Sequence, residues 1–447
     1  LLRCLLALDV DPGRIRLAAP TGRAAQRISD SLHAAATAVG DVDPAAVLAG
    51  ETVHRLLRYH PGRGRFRYDR NNPLPLDVLV VDEVSMVDAG LMAALLEAVP
   101  AAAHVVLLGD KDQLPSVAAG AVLADLVPPQ AVTCVQPQTL ARVERLLPEH
   151  DWPAHAAGQT PLADSAVVLQ TNYRSEPAVL DYADRVNRQE TDCAHDIPAV
   201  DPGADGLAQL PFDRHGVFAI EPGTAGHTRL RHVLDAWAIH HFLEDADDGL
   251  TSYREALRAC REIDLTAVTG AARDHVPALA ALFAQLERGR ILTLVRRGRY
   301  GVDGINAYLD TELRRLFDPH NRSRHFAGMP IVIRANDRGR KLFNGNVGIV
   351  VRGAGGDLRA VFQREAVLVS YAIESLPPHQ PAFAMTVHKS QGSEFDHVLL
   401  VLPERADHRL LSKEIVYTGM TRARYLVLAF GAREVLAAAI GRRVERE

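Results

Sequence analysis

The chain of 447 residues is long enough for two to four domains, each with a sizeable core. Hydrophobic residues make up 47% of it and charged residues 23%, which predicts a soluble globular protein and excludes a disordered one. No apolar run approaches the roughly 20 residues that a membrane helix needs. The net charge of −5 argues against a generally basic DNA-coating protein, but it leaves room for a local basic groove.

The four cysteines, Cys4, Cys134, Cys193 and Cys260, lie far apart and form no Cys-x-x-Cys pair. Neither a zinc site nor a disulfide framework is therefore indicated, and a cytoplasmic, reducing location is expected. The N-terminal "LLRCLLALDV" contains an Arg and lacks a cleavage site of small residues. It makes a poor signal peptide and is interpreted as the end of a helix.

The first part of the chain alternates short apolar strands with polar turns and helices. The predicted strands are 14–19, 77–82 and 104–109. A helix is predicted from Arg23 to about Ala38. This alternation predicts a parallel, doubly wound α/β domain over residues 1–128, which binds ligands at the carboxyl ends of its strands. Within it, Gly and Pro punctuation and the alternating Arg65-Phe66-Arg67-Tyr68 predict a small exposed β-hairpin at 59–75.

A second α/β domain is predicted from the later part of the chain. Its segments are 166–186, 286–327 and 377–447, where strand-like and helical patterns alternate again. Short strands with Asn-Gly and Gly-Gly turns over 328–376 predict a small β-barrel inserted in this domain. The weakly patterned segments 129–165 and 187–285 are interpreted as a connecting region and an insertion.

The stretch "LVVDEVSM" at 79–86 has the form of a Walker B element. Asp82 at a strand end can hold Mg²⁺, and Glu83 can polarise a water for attack on a γ-phosphate. The alternative is a pair that merely ends a strand and caps the next helix. The usual partner, a glycine-rich phosphate loop ending in Gly-Lys-Ser/Thr, is absent from the 447 residues, because none of the four lysines (111, 341, 389 and 413) has those neighbours.

Polar motifs beyond Asp82-Glu83 favour a nucleoside-triphosphatase. Gln113 follows the strand and Gly-Asp of "LLGDKDQLPSV", where a side chain can meet a γ-phosphate. Arg174 in "QTNYRSEP" and Arg422 in "YTGMTRAR" are placed to contact phosphate, as an arginine finger does, although each alone is compatible with a surface salt bridge.

Two further motifs carry dense groups of hydrogen-bond donors. "TVHKSQGSEFD" at 386–396 suits a nucleic-acid backbone or a polyphosphate better than a core, and "APTGRAAQR" at 19–27 begins a helix whose free N–H groups can accept a phosphate. Helix capping is the alternative for both. "TVHRLL" at 52–57 is weaker, since a lone His54 before an amphipathic helix is more often structural.

The order and spacing of these elements resemble superfamily 1 helicases of the 5′-to-3′ branch, and more closely the RecD family, the alpha subunits of exodeoxyribonuclease V. The resemblance covers most of the chain except about 129–165 and 187–285. Its most specific motifs are "LLGDKDQLPSVAAGAVLADL" and "AMTVHKSQGSEFDHV". It implies two RecA-like motor domains, a strand-splitting hairpin at 59–75 and an SH3-like barrel at 328–376.

The resemblance also implies a role for each matching residue. Asp82 would bind the Mg²⁺ that accompanies ATP, and Glu83 would be the catalytic base. Gln113 would sense the γ-phosphate of ATP. Arg174 and Arg422 would contact that phosphate from the second motor domain. The residues implied to lie along single-stranded DNA are Pro20, Thr21, Arg23, His54, Thr386, His388 and Lys389. Gln391, on the DNA side, and Gly392 and Glu394, on the nucleotide side, would couple the strand to the nucleotide. Phe66 and Tyr68 offer stacking surfaces for bases.

The missing phosphate loop is the one departure from the family pattern. The expected reason is that the chain is a fragment that begins inside the following helix; a degenerate relative is the alternative. The function implied is an ATP-driven 5′-to-3′ DNA helicase that acts on single-stranded DNA and duplex ends beside RecB-like and RecC-like subunits in double-strand-break repair. A standalone RecD-like helicase and a non-catalytic DNA-binding scaffold stay open as alternatives, and the chain alone is expected to hydrolyse ATP poorly.

Overall fold

The computed structural model describes residues 4–5, 8–39, 49–116, 120, 122–127, 136–147, 164–169, 171–201, 210–244, 251–364 and 367–444, with residues 30 and 33–39 described by their backbone alone. The predicted connecting region at 129–165 lies largely outside these residues, as does most of the predicted helical segment at residues 1–8. No helix in the described part of the chain combines the length and the apolar character needed to cross a membrane.

Strands and helices alternate through most of the described chain. The strands are β1 Ile15–Ala19, β2 Gly50–Thr52, β3 Val78–Val81, β4 His104–Leu107, β5 Gly216–Ile220, β6 Gly289–Thr293, β7 Pro330–Ile333, β8 Val347–Arg352, β9 Leu358–Arg364, β10 Val367–Ala372, β11 His379–Pro381, β12 Ala384–Thr386, β13 Phe395–Val401 and β14 Ala423–Phe430. The α-helices are α1 Gly22–Val39, α2 Val53–Leu56, α3 Ala89–Ala98, α4 Val122–Leu126, α5 Pro137–Leu146, α6 Pro177–Asn187, α7 Cys193–Asp196, α8 Gly226–Ala238, α9 Tyr253–Ala259, α10 Pro277–Arg288, α11 Val302–Phe317, α12 Val387–Ser390, α13 Lys413–Met420 and α14 Arg433–Ile440.

Shorter turns of helix complete the element list. A π-helical turn, Ile239–Leu243, continues directly from α8. The 3₁₀ turns are Pro12–Arg14, Val84–Met86, Cys260–Glu262, Arg273–His275 and Ile373–Ser375.

The first sheet is parallel and has the strand order β2-β1-β3-β4. All four residues of β3 are buried, as expected for a strand that is covered on both faces. Leu79 and Val81 pack in one hydrophobic cluster, and Val78 and Val80 pack in another on the opposite face. The predicted α/β architecture of the first domain is therefore confirmed.

The second sheet is also parallel, with the order β12-β6-β13-β14-β5. Along β13, Leu399 and Val401 pack on one side while Val398 and Leu400 pack on the other, which is the alternation that a strand imposes. One strand differs from the prediction: β5 lies inside the segment interpreted as an insertion at 187–285, yet it pairs in register with β14. That segment thus completes the edge of the second sheet.

The third sheet is antiparallel, with the order β10-β9-β8-β7-β11. It occupies the region of the predicted barrel and extends it to Pro381. Its inward residues, among them Ile331, Ile349 and Val361, belong to the same hydrophobic cluster as the second sheet. Closure of this sheet into an SH3-like barrel stays a prediction.

The predicted hairpin at 59–75 consists of two short turns instead of one ladder. One turn is closed by a bridge between His60 and Arg65, and the other by a bridge between Asp69 and Asn72. The side chain of Asp69 accepts hydrogen bonds from the backbone N–H groups of Asn71 and Asn72, which fixes the second turn locally. Most of the segment is exposed, as predicted.

The burial of β3 leads to a test of the first core. Leu79→Ala should lower the free energy of unfolding by about 2–5 kcal/mol, because Leu79 is fully buried and its truncation leaves a cavity. The matched control is Leu96→Ala on α3, where the side chain is 48% exposed, and it should change stability by less than about 0.5 kcal/mol. Urea unfolding followed by circular dichroism measures both. Equal losses from the two variants would contradict the two-faced core.

Candidate functional site

The acidic pair Asp82-Glu83 leaves the carboxyl end of β3 in a tight turn. Glu83 adopts a left-handed backbone conformation, with φ 53° and ψ 40°, and its N–H donates to Asp82 Oδ1 at 2.8 Å. The next residue, Val84, donates its N–H to Leu108 O at 3.0 Å. A non-glycine residue in this conformation is strained and persists because the surrounding contacts hold it there, a situation typical of functional sites.

Glu83 faces residues that belong to the second half of the chain. A Cβ atom added at Gly392 would lie 3.8 Å from Glu83 Oε1, and Gly392 itself has a φ of +72° that favours glycine. Burial raises the pKa of Glu83, and the charge of Asp82 adds to this effect, while Arg422 opposes it. The raised pKa brings the carboxyl closer to the range that suits a general base.

Gln113 lies in the loop that follows β4, and this loop is bonded to the second half of the chain. The side-chain amide of Gln113 donates to Asp110 Oδ2 at 3.1 Å, whereas its buried Oε1 has no hydrogen-bond partner among the described residues. The N–H of Leu114 donates to Thr418 Oγ1 at 2.9 Å, and the side-chain amide of Gln391 donates to Leu114 O at 3.0 Å. These bonds place the loop between α13 and the turn after α12.

Arg422 is 1% exposed and lies directly behind this loop. Its Nε donates to Thr418 O at 3.2 Å and its Nη1 to Ser393 O at 3.3 Å. Its Nη2 is buried without a partner in the described part of the chain. Burial lowers the pKa of Arg422, and the Glu83 carboxylate opposes that shift. A buried guanidinium with an unused nitrogen is suited to an anionic ligand such as a phosphate.

The carboxylate of Glu394 forms ion pairs with three arginines from different parts of the chain. Its Oε1 lies 2.9 Å from Arg174 Nε and also pairs with Arg27 of α1, while its Oε2 lies 3.4 Å from Arg424 Nη2. Arg27 Nη1 also donates to the carbonyl of Gly392 at 3.3 Å. Burial acts to raise the pKa of Glu394, but the charges of Arg27 and Arg174 outweigh it and the pKa is lowered.

The predicted nucleotide residues are therefore gathered at one place. They lie where the carboxyl end of the first sheet meets the turn after α12 and the helix α13. Those that the structure brings together are Asp82, Glu83, Gln113, Arg174, Gln391, Gly392, Glu394 and Arg422. Asp82 offers the hard carboxylate oxygen that Mg²⁺ prefers, so it fits that ion. The specific role of each residue stays a prediction.

Five residues of this site were not predicted: Arg27, Asp110, Tyr417, Thr418 and Arg424. Tyr417 donates its hydroxyl to Asp110 Oδ2 at 3.1 Å, a contact across 307 residues of sequence. Tyr417 and Thr418 stand in the same motif as Arg422, and Arg27 ends the motif "APTGRAAQR". Their motifs were visible in the sequence, but their contacts depend on the tertiary structure.

Thr21 and Thr386, two predicted DNA-binding residues, each precede a helix, but only one of the two hydroxyls caps a helix N–H among the described residues. Thr21 Oγ1 accepts the N–H of Ala24 at 3.2 Å, as the capping alternative expects, and a contact of Thr21 with DNA stays a prediction. The hydroxyl of Thr386, before α12, caps no helix N–H within the described residues. A Cβ added at Gly22 would lie 3.8 Å from Phe343, which brings the turn between β7 and β8 against the start of α1.

Lys389 belongs to a basic cluster with Arg296 and Arg334. All three side chains are exposed. Burial of part of its stem lowers the pKa of Lys389, and the charges of Arg334 and Arg296 lower it further. Like charges held together attract an anion, and a nucleic-acid backbone supplies one. The neighbouring His388 is half-buried in α12.

Two predicted DNA elements meet in an aromatic cluster at the hairpin segment. The ring centroids of Tyr59 and Phe66 are 5.1 Å apart, and His54 lies 5.5 Å from Tyr59 and 6.0 Å from Phe66. Tyr68 lies 5.9 Å from the guanidinium carbons of Arg58 and Arg67. Pro20 and Arg23 are half-buried at the end of β1 and the start of α1. Rings beside cations suit stacking on bases, but contact with DNA stays a prediction.

Two parts of the chain match known protein families. The family described as AAA domain matches residues 1–119, and the family described as UvrD-like helicase C-terminal domain matches residues 381–429. RecBCD enzyme subunit RecD of Mycobacterium tuberculosis strain H37Rv is 33% identical over 437 residues, which cover 97% of this chain and 63% of that protein. The chain therefore spans less than two thirds of that relative's length.

Other relatives agree with these matches. RecBCD enzyme subunit RecD of Haemophilus influenzae is 31% identical over 97% of this chain and 64% of its own length. The ATP-dependent RecD2 DNA helicase of Deinococcus radiodurans is 29% identical over 92% of this chain and 42% of its own length. Among solved structures, Pif1 helicase from Bacteroides in complex with ADP-AlF3 and ssDNA aligns over 97% of this chain and 93% of its own, with 13% identity and a TM-score of 0.40.

Glu394 provides a test of the charge network. Glu394→Gln should lower the free energy of unfolding at pH 7 by about 1–3 kcal/mol, because three arginines lose their shared carboxylate. A lowered pKa means that the ionised form stabilises the fold above the ordinary value of 4.5, and that this contribution is lost as the pH falls through the lowered value. The difference between wild type and variant should therefore shrink below pH 4.5.

The matched control is Glu97→Gln, whose exposed carboxylate pairs with Arg70 alone. This variant should change stability by less than about 0.5 kcal/mol at either pH. Thermal or urea unfolding across the pH range measures both variants. A Glu394→Gln loss that is equal at pH 7 and at pH 3 would contradict the ionic origin of the effect.

Proposed function

Because the chain is homologous to the RecD helicase subunits over 97% of its length, we propose that it is the motor part of an ATP-dependent DNA helicase. It would move 5′ to 3′ on single-stranded DNA and unwind duplex ends. Its partners would be RecB-like and RecC-like subunits in a RecBCD-type exodeoxyribonuclease V that acts in double-strand-break repair. The similarity to RecBCD enzyme subunit RecD of Mycobacterium tuberculosis and Haemophilus influenzae supports this assignment, and the geometry of the site supports the motor.

One observation carries the proposal: the acidic pair of the first sheet and the arginines of the second half of the chain share one site. The positive charges of Arg422 and Arg174 act on the carboxylate of Glu83 and favour its ionised form. The loop that contains Gln113 is hydrogen-bonded to α13 and to Gln391. A nucleotide bound here would touch both halves of the chain, which is the arrangement that a motor requires.

The chemistry of each residue follows from its surroundings. ATP with Mg²⁺ would supply the free energy and the reacting phosphate. Asp82 would hold the ion through a carboxylate oxygen. Glu83, with its raised pKa, would accept a proton from the attacking water. Arg422 and Arg174 would neutralise the charge that develops on the transferred phosphate, and Gln113 would sense that phosphate through its unpartnered Oε1.

Coupling to DNA would run through the segment from Thr386 to Glu394. Lys389 at its start lies in the basic cluster, and Gln391, Gly392 and Glu394 at its end contact the nucleotide side. Only two residues separate Lys389 from the Gly392 carbonyl to which Arg27 donates. Binding or loss of the γ-phosphate would therefore be transmitted to the DNA through one short turn. Closure and reopening of the site would then advance the DNA.

The 447 residues contain no Gly-Lys-Ser/Thr sequence. No side chain of the described site replaces the lysine that reaches β- and γ-phosphates in such loops. We therefore expect these residues alone to hydrolyse ATP poorly. Activity is therefore measured on the protein purified from its own cells, together with any subunits that accompany it.

A second candidate is a helicase that works without partner subunits. The RecD2 relative of Deinococcus radiodurans, at 29% identity, favours it. Purification of the protein from its own cells distinguishes the two. Recovery of two large subunits in a stable complex supports the RecBCD-type assignment, and recovery of the chain alone, with helicase activity, supports the standalone one. If no ATP hydrolysis is stimulated by DNA, the alternative of a non-catalytic DNA-binding scaffold is favoured.

Glu83→Gln tests the assignment of the base. ATP turnover should fall by about 10²- to 10⁴-fold, because the variant cannot accept the proton of water. Affinity for single-stranded DNA should stay within about twofold of wild type, since the basic cluster is untouched. The control is Glu97→Gln, an exposed carboxylate on α3. Retained hydrolysis in Glu83→Gln would exclude Glu83 as the base.

Lys389→Ala tests the basic cluster. Affinity for an oligonucleotide should fall, and the slope of log affinity against log salt should decrease by about 0.7, the value for one phosphate contact on a single strand. The control is Arg261→Ala, an exposed arginine in a 3₁₀ turn away from this cluster, which should leave the slope unchanged. Fluorescence anisotropy at several salt concentrations measures it. An unchanged slope for Lys389→Ala would remove this residue from the DNA path.

A further inference from the structure

Three histidines converge on the side of the second sheet that carries α8. His240 and His241 lie in the π-helical turn that continues α8, and His397 lies on β13. One possible ligand atom from each side chain lies within 4.8 Å of those of the other two. The ring centroids are 4.8 Å apart for His240 and His241, 5.2 Å for His241 and His397, and 5.7 Å for His240 and His397.

The two consecutive histidines lie in the π-helical turn Ile239–Leu243. Both of their imidazole rings lie beside His397. Single π-turns of this kind occur frequently at functional sites.

Two of the histidines each have a buried nitrogen that finds no hydrogen-bond partner in the described part of the chain. His241 and His397 are each 7% exposed. Within the described residues, His241 Nε2 and His397 Nδ1 have no hydrogen-bond partner. Buried polar atoms are normally paired, so each unpaired nitrogen requires an explanation. A ligand bound between the rings would provide it.

The chemistry of the three side chains suits a metal ion. Imidazole nitrogens are among the commonest metal ligands in proteins. His241 and His397 lie side by side, and each keeps one buried nitrogen without a competing partner among the described residues. His240 Nδ1 lies 3.3 Å from Glu244 Oε2, and a carboxylate behind a ligating histidine is a common supporting contact in metal sites.

The surroundings of the cluster define which ion would fit. Phe212 stacks on His240 at 3.8 Å, and Trp237 lies 4.2 Å from His241, so aromatic rings enclose the site. Arg288 and Arg290 both act on His241, and their charges oppose a cation. Asp396 lies 4.0 Å from Arg288 and partly offsets its charge. Three imidazole nitrogen donors without a ligating carboxylate disfavour Mg²⁺ and Ca²⁺ and favour zinc-type ions.

We propose that His240, His241 and His397 bind a divalent transition-metal ion of the zinc class. The ion would fasten the end of α8 to β13, which joins the segment interpreted as an insertion to the second sheet. A tetrahedral site with metal–nitrogen distances of about 2.0 Å sets the nitrogens about 3.3 Å apart, so small ring rotations would close the observed separation. Water would complete the coordination.

The experiment uses the full chain without a histidine tag, freed of metal by a chelator and titrated with Zn²⁺ and, separately, with Co²⁺. About one ion should bind per chain, and Co²⁺ should give the visible d–d absorption of a tetrahedral nitrogen site. His240→Gln and His397→Gln should lose both signals. The matched control is His232→Gln on α8, outside the cluster, which should keep them.

Glu244→Gln adds a variant that leaves all three ligands in place. Loss of the supporting carboxylate should weaken Zn²⁺ binding by about 10- to 100-fold. Because this residue is on the surface, the result does not depend on refolding of the core. Circular dichroism confirms that each variant is folded.

Three outcomes would overturn the proposal. The first is binding of less than about 0.1 equivalent of either ion by the wild-type chain. The second is unchanged binding by folded His240→Gln and His397→Gln. The third is the intense sulfur-to-cobalt absorption of a cysteine site, which would move the ion to the thiols.

Discussion

The docking of one short loop on the second half of the chain is the contact on which the site depends. The loop after β4 is held by Leu114, whose N–H bonds to Thr418 and whose carbonyl receives the amide of Gln391. The Leu114 side chain is itself buried in the hydrophobic cluster of the second sheet. Hydrogen bonds and apolar burial both act at Leu114, and together they hold the loop against the second half of the chain. That position brings Glu83 of the first sheet near Gly392 and Arg422.

Charge organisation follows from that docking. Four arginines, Arg27, Arg174, Arg422 and Arg424, come together around Glu83 and Glu394. Asp396, which pairs with Arg424, and Asp110, which acts on Arg422, offset part of their charge as well. Glu394 is held ionised by its arginines, whereas Glu83 is shifted towards its protonated form, because burial dominates there. Two carboxylates with opposite shifts can serve different purposes, one as a structural clamp and one as a base. Within the described residues, Gln113 Oε1 and Arg422 Nη2 are buried without a hydrogen-bond partner, and a ligand at this site would satisfy them.

Local sequence patterns were sufficient for the elements that are buried on both faces. Continuous apolar runs predicted β1, β3 and β4 to within about two residues, since such runs have few other stable solutions. Strand pairing was harder to predict. The strand β5 lies in the weakly patterned segment that was interpreted as an insertion, and its register with β14 shows that it joins the second sheet. The 59–75 segment had the composition of a hairpin, but the side chain of Asp69 favours a separate local turn.

The sequence by itself determined which residue types belong to the proposed nucleotide site and the order in which they follow one another along the chain. Asp82, Glu83, Gln113, Arg174 and Arg422 are recognisable because each stands at a strand end or helix start with a characteristic neighbour. Only the tertiary structure decided which of them meet, that Arg27 and Tyr417 join them, and that three histidines converge at β13. The physical reason is that motifs are local, whereas burial and the pKa shifts that follow from it arise from residues hundreds of positions apart.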